Sequence, residues 1–561
     1  MCPMVWQMES SDFLPWTADP VLRHTPRHLN ARFPPSYRGA RRGAAAIEDR
    51  YAMRSLLVSL RMRWADATSA MRRFADQPRA LWWLVMVFVA GGVLLLPSRQ
   101  RNFDEGVYIQ QALLILSGRW PYRDFFYHQT PLYPLALAMF GWWKPDSVVV
   151  FRSLSLFATA ATGVFVYRIA ERLVARRAAL CAAILFYVAP LQFYGFLAVP
   201  LALMQLCHVA GVYLVLFGRS RAAIIAGAIL LVVSVLFKPL TIAGLLAVGF
   251  AVLLVPRQRP KVPVLLLAGA LTGCVAWAAF HVLSDGAFTR VLLLQFGRYA
   301  QRGGFDAMMQ FDPFWRAAAA AGTTNAVEWN LDEHRLAFFI LPLLNGNFWL
   351  LGLAAAGQVI LWRDEGRRWT GWRAFLLLWW VVPLIFSVYV WEPIWDHYCL
   401  QYVPAMAVLA AIFLNRAWLL PASAVRARRI ARVGFIGAMF LGAIGVAGRQ
   451  EHELADLGPE HAGETWLTFD PLYNFLTHTK PACGLIDPFN VYGPHCLVAM
   501  ATAPDLSRFL LTADDVQRCL ERDPSIKVLM GSWAPWFLEP GLRRYLRTLP
   551  AERIVGRVPD G

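Results

Sequence analysis

Lysine is almost missing from this chain. Of 54 basic residues only five are lysine, at positions 144, 238, 261, 480 and 527, and the rest are arginine. Charge of either sign is scarce at 16% of residues, and acids number 37. So little charge cannot cover the surface of a soluble protein of 561 residues, and the 57% hydrophobic content exceeds the roughly 45–50% of soluble domains. Cysteine is thin as well: there are eight, none in a C-x-x-C pair, which leaves a zinc site unsupported. No apolar segment with a small-residue cleavage site follows the early charges, so the N-terminal region does not read as a signal peptide. The net charge of +17 does not imply nucleic acid, because the arginines fall in short clusters between apolar runs, as in the loops of a membrane protein.

What is present is a series of apolar runs of bilayer-crossing length. They are Ala80–Pro97, Ser147–Ile169, Ala178–Leu197, Pro200–Phe217, Ala222–Phe237, Pro239–Val255, Val262–Leu283, Ala337–Trp362, Ala374–Val390, Tyr398–Phe413 and Val433–Ala447. These eleven runs predict an all-α polytopic membrane protein. Pro131–Trp143 is apolar but too short to cross and reads as a helix in the outer interface. Arginine and lysine concentrate in alternate connections, among them Arg172, Arg176 and Arg177, then Arg257, Arg259 and Lys261, which places the N-terminus inside and the C-terminus outside. Three regions follow: 1–79, basic, cytoplasmic and partly disordered; 80–448, the membrane domain with outer loops 98–146 and 284–336; and 449–561, where apolar density falls and short strand and helix patterns predict a small extracytoplasmic α/β domain.

This orientation puts several polar residues on one outer face. Asp104 and Glu105 follow the first run and precede an apolar-periodic stretch, Val107–Leu116. Adjacent acids there can simply mark the membrane boundary and favour a helix N-terminus; alternatively, a carboxylate at the rim of a cavity accepts a proton from an attacking hydroxyl. Arg152, at the outer end of the second run, calls for an anionic partner, for which Asp104 and Glu105 are the candidates, or else snorkels to headgroups. Lys238, in SVLFKPLT between two runs, either snorkels or offers a point charge to a phosphate. His128 brings another polar group to this face, and Asp396-His397-Tyr398 ends the last outer loop, where His397 anchors the interface or donates to the same phosphate.

These residues resemble the GT-C superfamily of integral-membrane glycosyltransferases, in the branch of protein O-mannosyltransferases and the lipid A aminoarabinose transferase. The likeness rests on FDEGVY, the G-x-x-PY-x-DFF-x-x-x-x-P stretch Gly118–Pro131, VVFRSLS around Arg152, the late LFKP lysine and DHYCLQYVPAMAVLAA, in that order over about residues 80–415. The resemblance implies a sugar donor on a polyprenyl phosphate, used on the non-cytoplasmic side for an extracytoplasmic acceptor (protein, lipid or glycan), with Asp104 as the catalytic acid and Glu105 beside it. Arg152, Lys238, His397, His128 and Tyr398 are then the phosphate or substrate side. One departure is Val199, which stands where several relatives carry an acid before the proline opening the fourth run. With one acid pair and no histidine cluster, a divalent cation is weakly supported and no metal ligands or cofactor are assigned.

Other readings concern the periphery and the class. The long loop Ser284–Leu336 reads as a flap or as a solvated connection. In the last region Cys483 and Cys496 are candidates for a disulfide, leaving Cys519 over, whereas Cys181, Cys207, Cys274 and Cys399 read as small core residues of the spans. A lipid-linked sugar flippase would show internal repeats, of which none is seen, and polar residues at mid-depth, whereas the spans are poor in mid-depth acids. A polysaccharide polymerase or ligase would rest on outer arginine and histidine rather than on an early acid pair.

Overall fold

A computed structural model describes residues 59, 69, 73–97, 103–125, 127, 129–255, 258–292, 348–364, 371–389, 400–419, 429–437, 439, 461–468, 471–485, 511–530 and 540–557. Met1–Met71 and Arg72–Gly561 form two compact units, and every helix and strand named here belongs to the second. In chain order the helices are α1 Arg79–Leu95, α2 Phe103–Leu116, α3 Leu132–Gly141, α4 Val148–Glu171, α5 Arg176–Val188, α6 Leu201–Phe217, α7 Arg221–Phe237, α8 Ile242–Leu254, α9 Val262–Leu283, α10 Phe348–Asp364, α11 Gly371–Tyr389 and α12 Val403–Leu419. Among the described residues three helical segments are long and apolar enough to cross a membrane: Val148–Glu171, Arg259–Leu283 and Leu400–Trp418. Others are apolar but shorter; the 17 residues of α7, for example, reach about 26 Å at the helical rise, against a hydrocarbon core of about 30 Å.

Proline sets where helices stop, and here one expectation is corrected. Ala178–Leu197 is not one continuous helix. It ends at Val188, Ala189 turns extended (φ −60°, ψ 130°), and Pro190–Phe196 forms a 3₁₀ turn. Proline disfavours the helical region for the residue before it, so an apolar run with a proline seven residues from its end reads longer than the helix it makes. The same rule acts at Lys238, extended at φ −155° and ψ 124° before the 3₁₀ turn Pro239–Thr241. The freed backbone is re-satisfied locally: the Thr241 amide donates to the Lys238 carbonyl at 3.3 Å, and the Ser234 and Thr241 hydroxyls meet at 3.1 Å.

Packing in the bundle uses close backbone approach. A Cβ at Gly211 of α6 would lie 2.9 Å from the Gly227 carbonyl of α7, and one at Gly227 would lie 3.0 Å from the Gly211 carbonyl, so glycine at both positions lets these helices touch. Lys261 is more than a loop charge: its ammonium donates to the carbonyls of Val215, Leu216 and Gly218 at the end of α6, where a cation suits the helix dipole. By contrast α9 buries only Leu265, and Cys274 on it is exposed rather than a core residue. Cys181 and Cys207 are buried, and Cys399 lies outside the described residues.

After the bundle, β1 Thr465–Thr468, β2 Lys480–Pro481, β3 Lys527–Met530 and β4 Ile554–Arg557 form a parallel sheet in the order β2-β1-β3-β4. Parallel neighbours need crossovers, supplied by α13 Pro471–Leu476, α14 Ala513–Arg522 and α15 Pro540–Arg547. Leu467, Val516, Leu520, Val528, Leu542 and Leu546 share one core, and Trp466, Tyr473 and Leu529 share another. Thr512 and Asp515 close a capping box that starts α14.

Cys519, the residue the spacing left over, is the partner of Cys483, with Cα atoms 5.8 Å apart. Cys496, the expected partner, lies outside the described residues. The reason is tertiary: Cys519 sits on α14 above the same core that the turn after β2 covers, a proximity invisible in linear spacing. A crosslink across 36 residues of separation restricts the unfolded chain by about 4 kcal/mol on the loop-entropy scale. Cys519→Ser is expected to lower the urea midpoint of this region, read by the fluorescence of Trp466, and to remove the gel shift that reductant causes in the native protein.

Candidate active site

The site is organised by α2, whose first turn contains both Asp104 and Glu105. The helix therefore begins before the acids, at Phe103, and places negative charge at its positive end. Consecutive helical residues point about 100° apart, so the two acids cannot share a direction. Glu105 points inward and is fully buried. Its Oε1 accepts from Arg152 Nε at 2.7 Å and from the Ala198 amide at 2.8 Å, while its Oε2 accepts from Arg152 Nη2 at 2.7 Å. Arg152, itself 3% exposed, also donates from Nη1 to the Leu96 carbonyl at 3.0 Å. One bidentate ion pair thus ties together the end of α1, the start of α2, α4 and the loop before α6. Arg152 does not snorkel, and of its two candidate partners the structure selects Glu105.

Asp104 faces elsewhere and is half-buried. Lys238, in the turn between α7 and α8, is 6% exposed and so does not snorkel either. Burial lowers its pKa, and the Asp104 carboxylate opposes that shift, which puts the two charges within electrostatic reach of each other. The stretch after α2 frames this pair. Thr130 donates its hydroxyl to the Leu236 carbonyl, two residues before Lys238. Tyr108 donates to Gln129 Oε1 at 3.2 Å and packs edge-on against Tyr133, with ring centroids 5.0 Å apart. Tyr122, at φ 65°, donates to the Gln129 carbonyl, and burial holds its phenol pKa well above the usual value, so it stays a neutral donor. Phe288, in the segment after α9, meets Tyr122 at 5.6 Å.

Of the residues expected from sequence, the structure brings Asp104 and Lys238 within reach and sets Glu105 against Arg152. His128, His397 and Tyr398 lie outside the described residues, as does most of the loop 284–336. Val199 is buried, next to the Ala198 amide that Glu105 holds. Among the described residues no three His, Cys, Asp or Glu side chains gather as a metal site. Sequence reasoning missed the Ala198 amide, the Leu96 carbonyl and the approach of Leu472 to Gly106. The first two are backbone groups that any residue supplies, and the third joins segments over three hundred residues apart.

No protein-family model and no curated protein matches the chain. Among solved structures it is similar to the oligosaccharyltransferase of Archaeoglobus fulgidus in complex with Zn and sulfate, at 15% identity over 72% of this chain and 62% of that one, with a TM-score of 0.48. It is also similar to AglB from Archaeoglobus fulgidus with an inhibitory peptide and a dolichol-phosphate, at 11% identity, 76% and 69% coverage and a TM-score of 0.46. A third similar structure is ArnT from Cupriavidus metallidurans bound to undecaprenyl phosphate, at 14% identity, 79% and 91% coverage and a TM-score of 0.46. The chain thus spans 62% of the length of the first.

Removing one partner of a buried pair strands the other charge, which costs about 3–5 kcal/mol, whereas replacing both with apolar groups costs far less. Arg152→Met is therefore expected to lower the thermal midpoint of the detergent-solubilised protein sharply, and Glu105→Leu combined with Arg152→Met to recover much of the loss. Equal midpoints for the single and double variants would show that the pair does not carry this junction.

Proposed function

We propose that the chain is an integral-membrane glycosyltransferase that moves a sugar from a polyprenyl-phosphate donor to an extracytoplasmic acceptor. The observation that carries this reading is the half-buried Asp104 within electrostatic reach of the buried Lys238, on a helix start locked by Glu105 and Arg152. Asp104 is the general base: its carboxylate takes the proton of the acceptor hydroxyl, whose oxygen forms a bond to the anomeric carbon. The bond from that carbon to the phosphate oxygen breaks, its electron pair leaves with the lipid phosphate, and the Lys238 ammonium stabilises the charge. A phosphate leaves readily, so charge neutralisation suffices without a protein acid. His128, His397 and Tyr398 complete the phosphate side. Glu105 and Arg152, both occupied by each other, position the base rather than meet substrate.

In this reading the membrane domain is 80–448, with eleven crossings of the inner membrane, and 1–79 is cytoplasmic. The region 449–561 is an extracytoplasmic α/β domain, in keeping with its Cys483–Cys519 disulfide, since such bonds persist in oxidising compartments. Sugar, acceptor class and lipid are to be read from a panel of undecaprenyl-phosphate-linked hexoses and pentoses offered to the purified protein.

Asp104→Asn is expected to lower donor turnover by roughly 10²–10⁴-fold, the contribution of a positioned base, with unchanged expression. Wild-type turnover in that variant, or lipid movement across the bilayer without transfer, would overturn the proposal. Lys238 adds a pH test. Because burial lowers its pKa, the ammonium is lost as pH rises through a value below that of an ordinary lysine. Undecaprenyl phosphate binding should therefore weaken at alkaline pH, and Lys238→Arg, which stays charged, should remove that limb while Lys238→Met weakens binding at every pH.

A further inference from the structure

The C-terminal sheet touches the bundle through α13, whose two faces do different things. Tyr473 turns to the sheet, in one cluster with Trp466 and Leu529. Leu472 and Phe475 turn the other way and belong to the core of the helical bundle. The Phe475 ring meets Phe151, the residue before Arg152, edge-on at 6.0 Å. On α2 the contact is closer still: a Cβ at Gly106 would lie 2.1 Å from the Leu472 backbone nitrogen and 2.7 Å from its Cα. Backbone cannot swing aside as a side chain can, so only glycine admits α13 at this distance. Gln110, one turn on, donates to the Pro471 carbonyl at 3.4 Å. The contact begins one residue after Glu105 and two after Asp104.

From this we infer that α13 is a positioning element of the active site, seated on Gly106 so that the C-terminal sheet and the Asp104-bearing turn keep one fixed relation. This rests on the proposed role of Asp104, and it gives the last region a part in the reaction besides any in recognition. Glu105 and Arg152 fix α2 from inside the bundle, and α13 fixes it from the other side. A methyl group at residue 106 must separate the two backbones, either by lifting α13 or by turning the first turn of α2. Either movement takes the Asp104 carboxylate out of register with an acceptor hydroxyl, and a displacement of about 1 Å suffices to cost on the order of a hundredfold in rate.

The test uses the full chain in nanodiscs. Gly106→Ala is expected to lower donor turnover on the order of a hundredfold at saturating donor while its affinity for undecaprenyl phosphate, read by native mass spectrometry, stays at the wild-type value. Gly91→Ala, at a glycine with nothing within 4 Å, should leave both unchanged. Because Gly106→Ala can also disturb folding, Phe475→Ala supplies a second reading: loosening α13 should speed hydrogen exchange in the Phe103–Leu116 amides, a readout that needs no activity. Wild-type turnover in Gly106→Ala, or unchanged exchange in Phe475→Ala, would overturn the inference. If Asp104→Asn keeps its turnover, the functional reading fails instead, while faster exchange in Phe475→Ala would still establish the mechanical link.

Discussion

The bidentate pair between Glu105 and Arg152 is the constraint on which the rest of the site depends. Two charges this deeply buried cost several kcal/mol each to desolvate, and only good geometry with the remaining donors and acceptors satisfied offsets that cost. Here the geometry is met: both carboxylate oxygens are used, and a further guanidinium N–H donates to the Leu96 carbonyl. The Ala198 amide, freed because the chain between α5 and α6 leaves the helical path at Pro190, is taken by the same carboxylate. A helix break is thereby turned into a fixing point, and the orientation of α2 follows from it. Asp104 takes its place on α2 from the rotation that Glu105 sets through its bonds to Arg152 and the Ala198 amide.

In the proposed membrane setting, lipid surroundings account for such devices sitting at helix ends. Inside a bilayer every backbone group needs an internal partner, so irregular backbone is tolerated where protein buries it. Of the two breaks near the site, Pro190–Phe196 has its Gly195 carbonyl taken by the Thr159 hydroxyl, with Glu105 accepting from Ala198 just after it, and Lys238–Thr241 uses a serine–threonine pair. Lys238 occupies a position whose extended backbone turns its side chain away from the helical path of α7, which is how a lysine at a helix end comes to be buried among protein atoms.

The sequence made the helical class and the apolar runs legible, because a bilayer demands long apolar stretches and lysine and arginine report the loops between them. It also made legible that Arg152 needed an anion. It could not say which of two adjacent acids would answer, since that depends on the rotation of α2 about its axis, and the rotation is set by Arg152 on another helix. The break at Ala189 was written in Pro190, yet apolar composition alone reads through it. Lys238 was singled out by rarity, and its burial was not legible because snorkelling and burial share the same local sequence. The Cys483–Cys519 pair was missed for a related reason: spacing carries no information on which turn lies over which helix.

These points bear on how many acids the proposed reaction requires. From sequence, Val199 removed a second acid opposite the pair and left the chemistry to Asp104 and Glu105 together. With Glu105 committed to Arg152 and the Ala198 amide, and with Val199 buried beside that amide, an acid at position 199 would bring a further negative charge close to the Glu105 carboxylate. A valine keeps that wall apolar: Glu105 is held by Arg152, and the proposed reaction falls to Asp104 and Lys238. In that arrangement proton acceptance and phosphate stabilisation rest on single residues of opposite charge, and neither can be exchanged for the structural pair without undoing the junction that holds both in place.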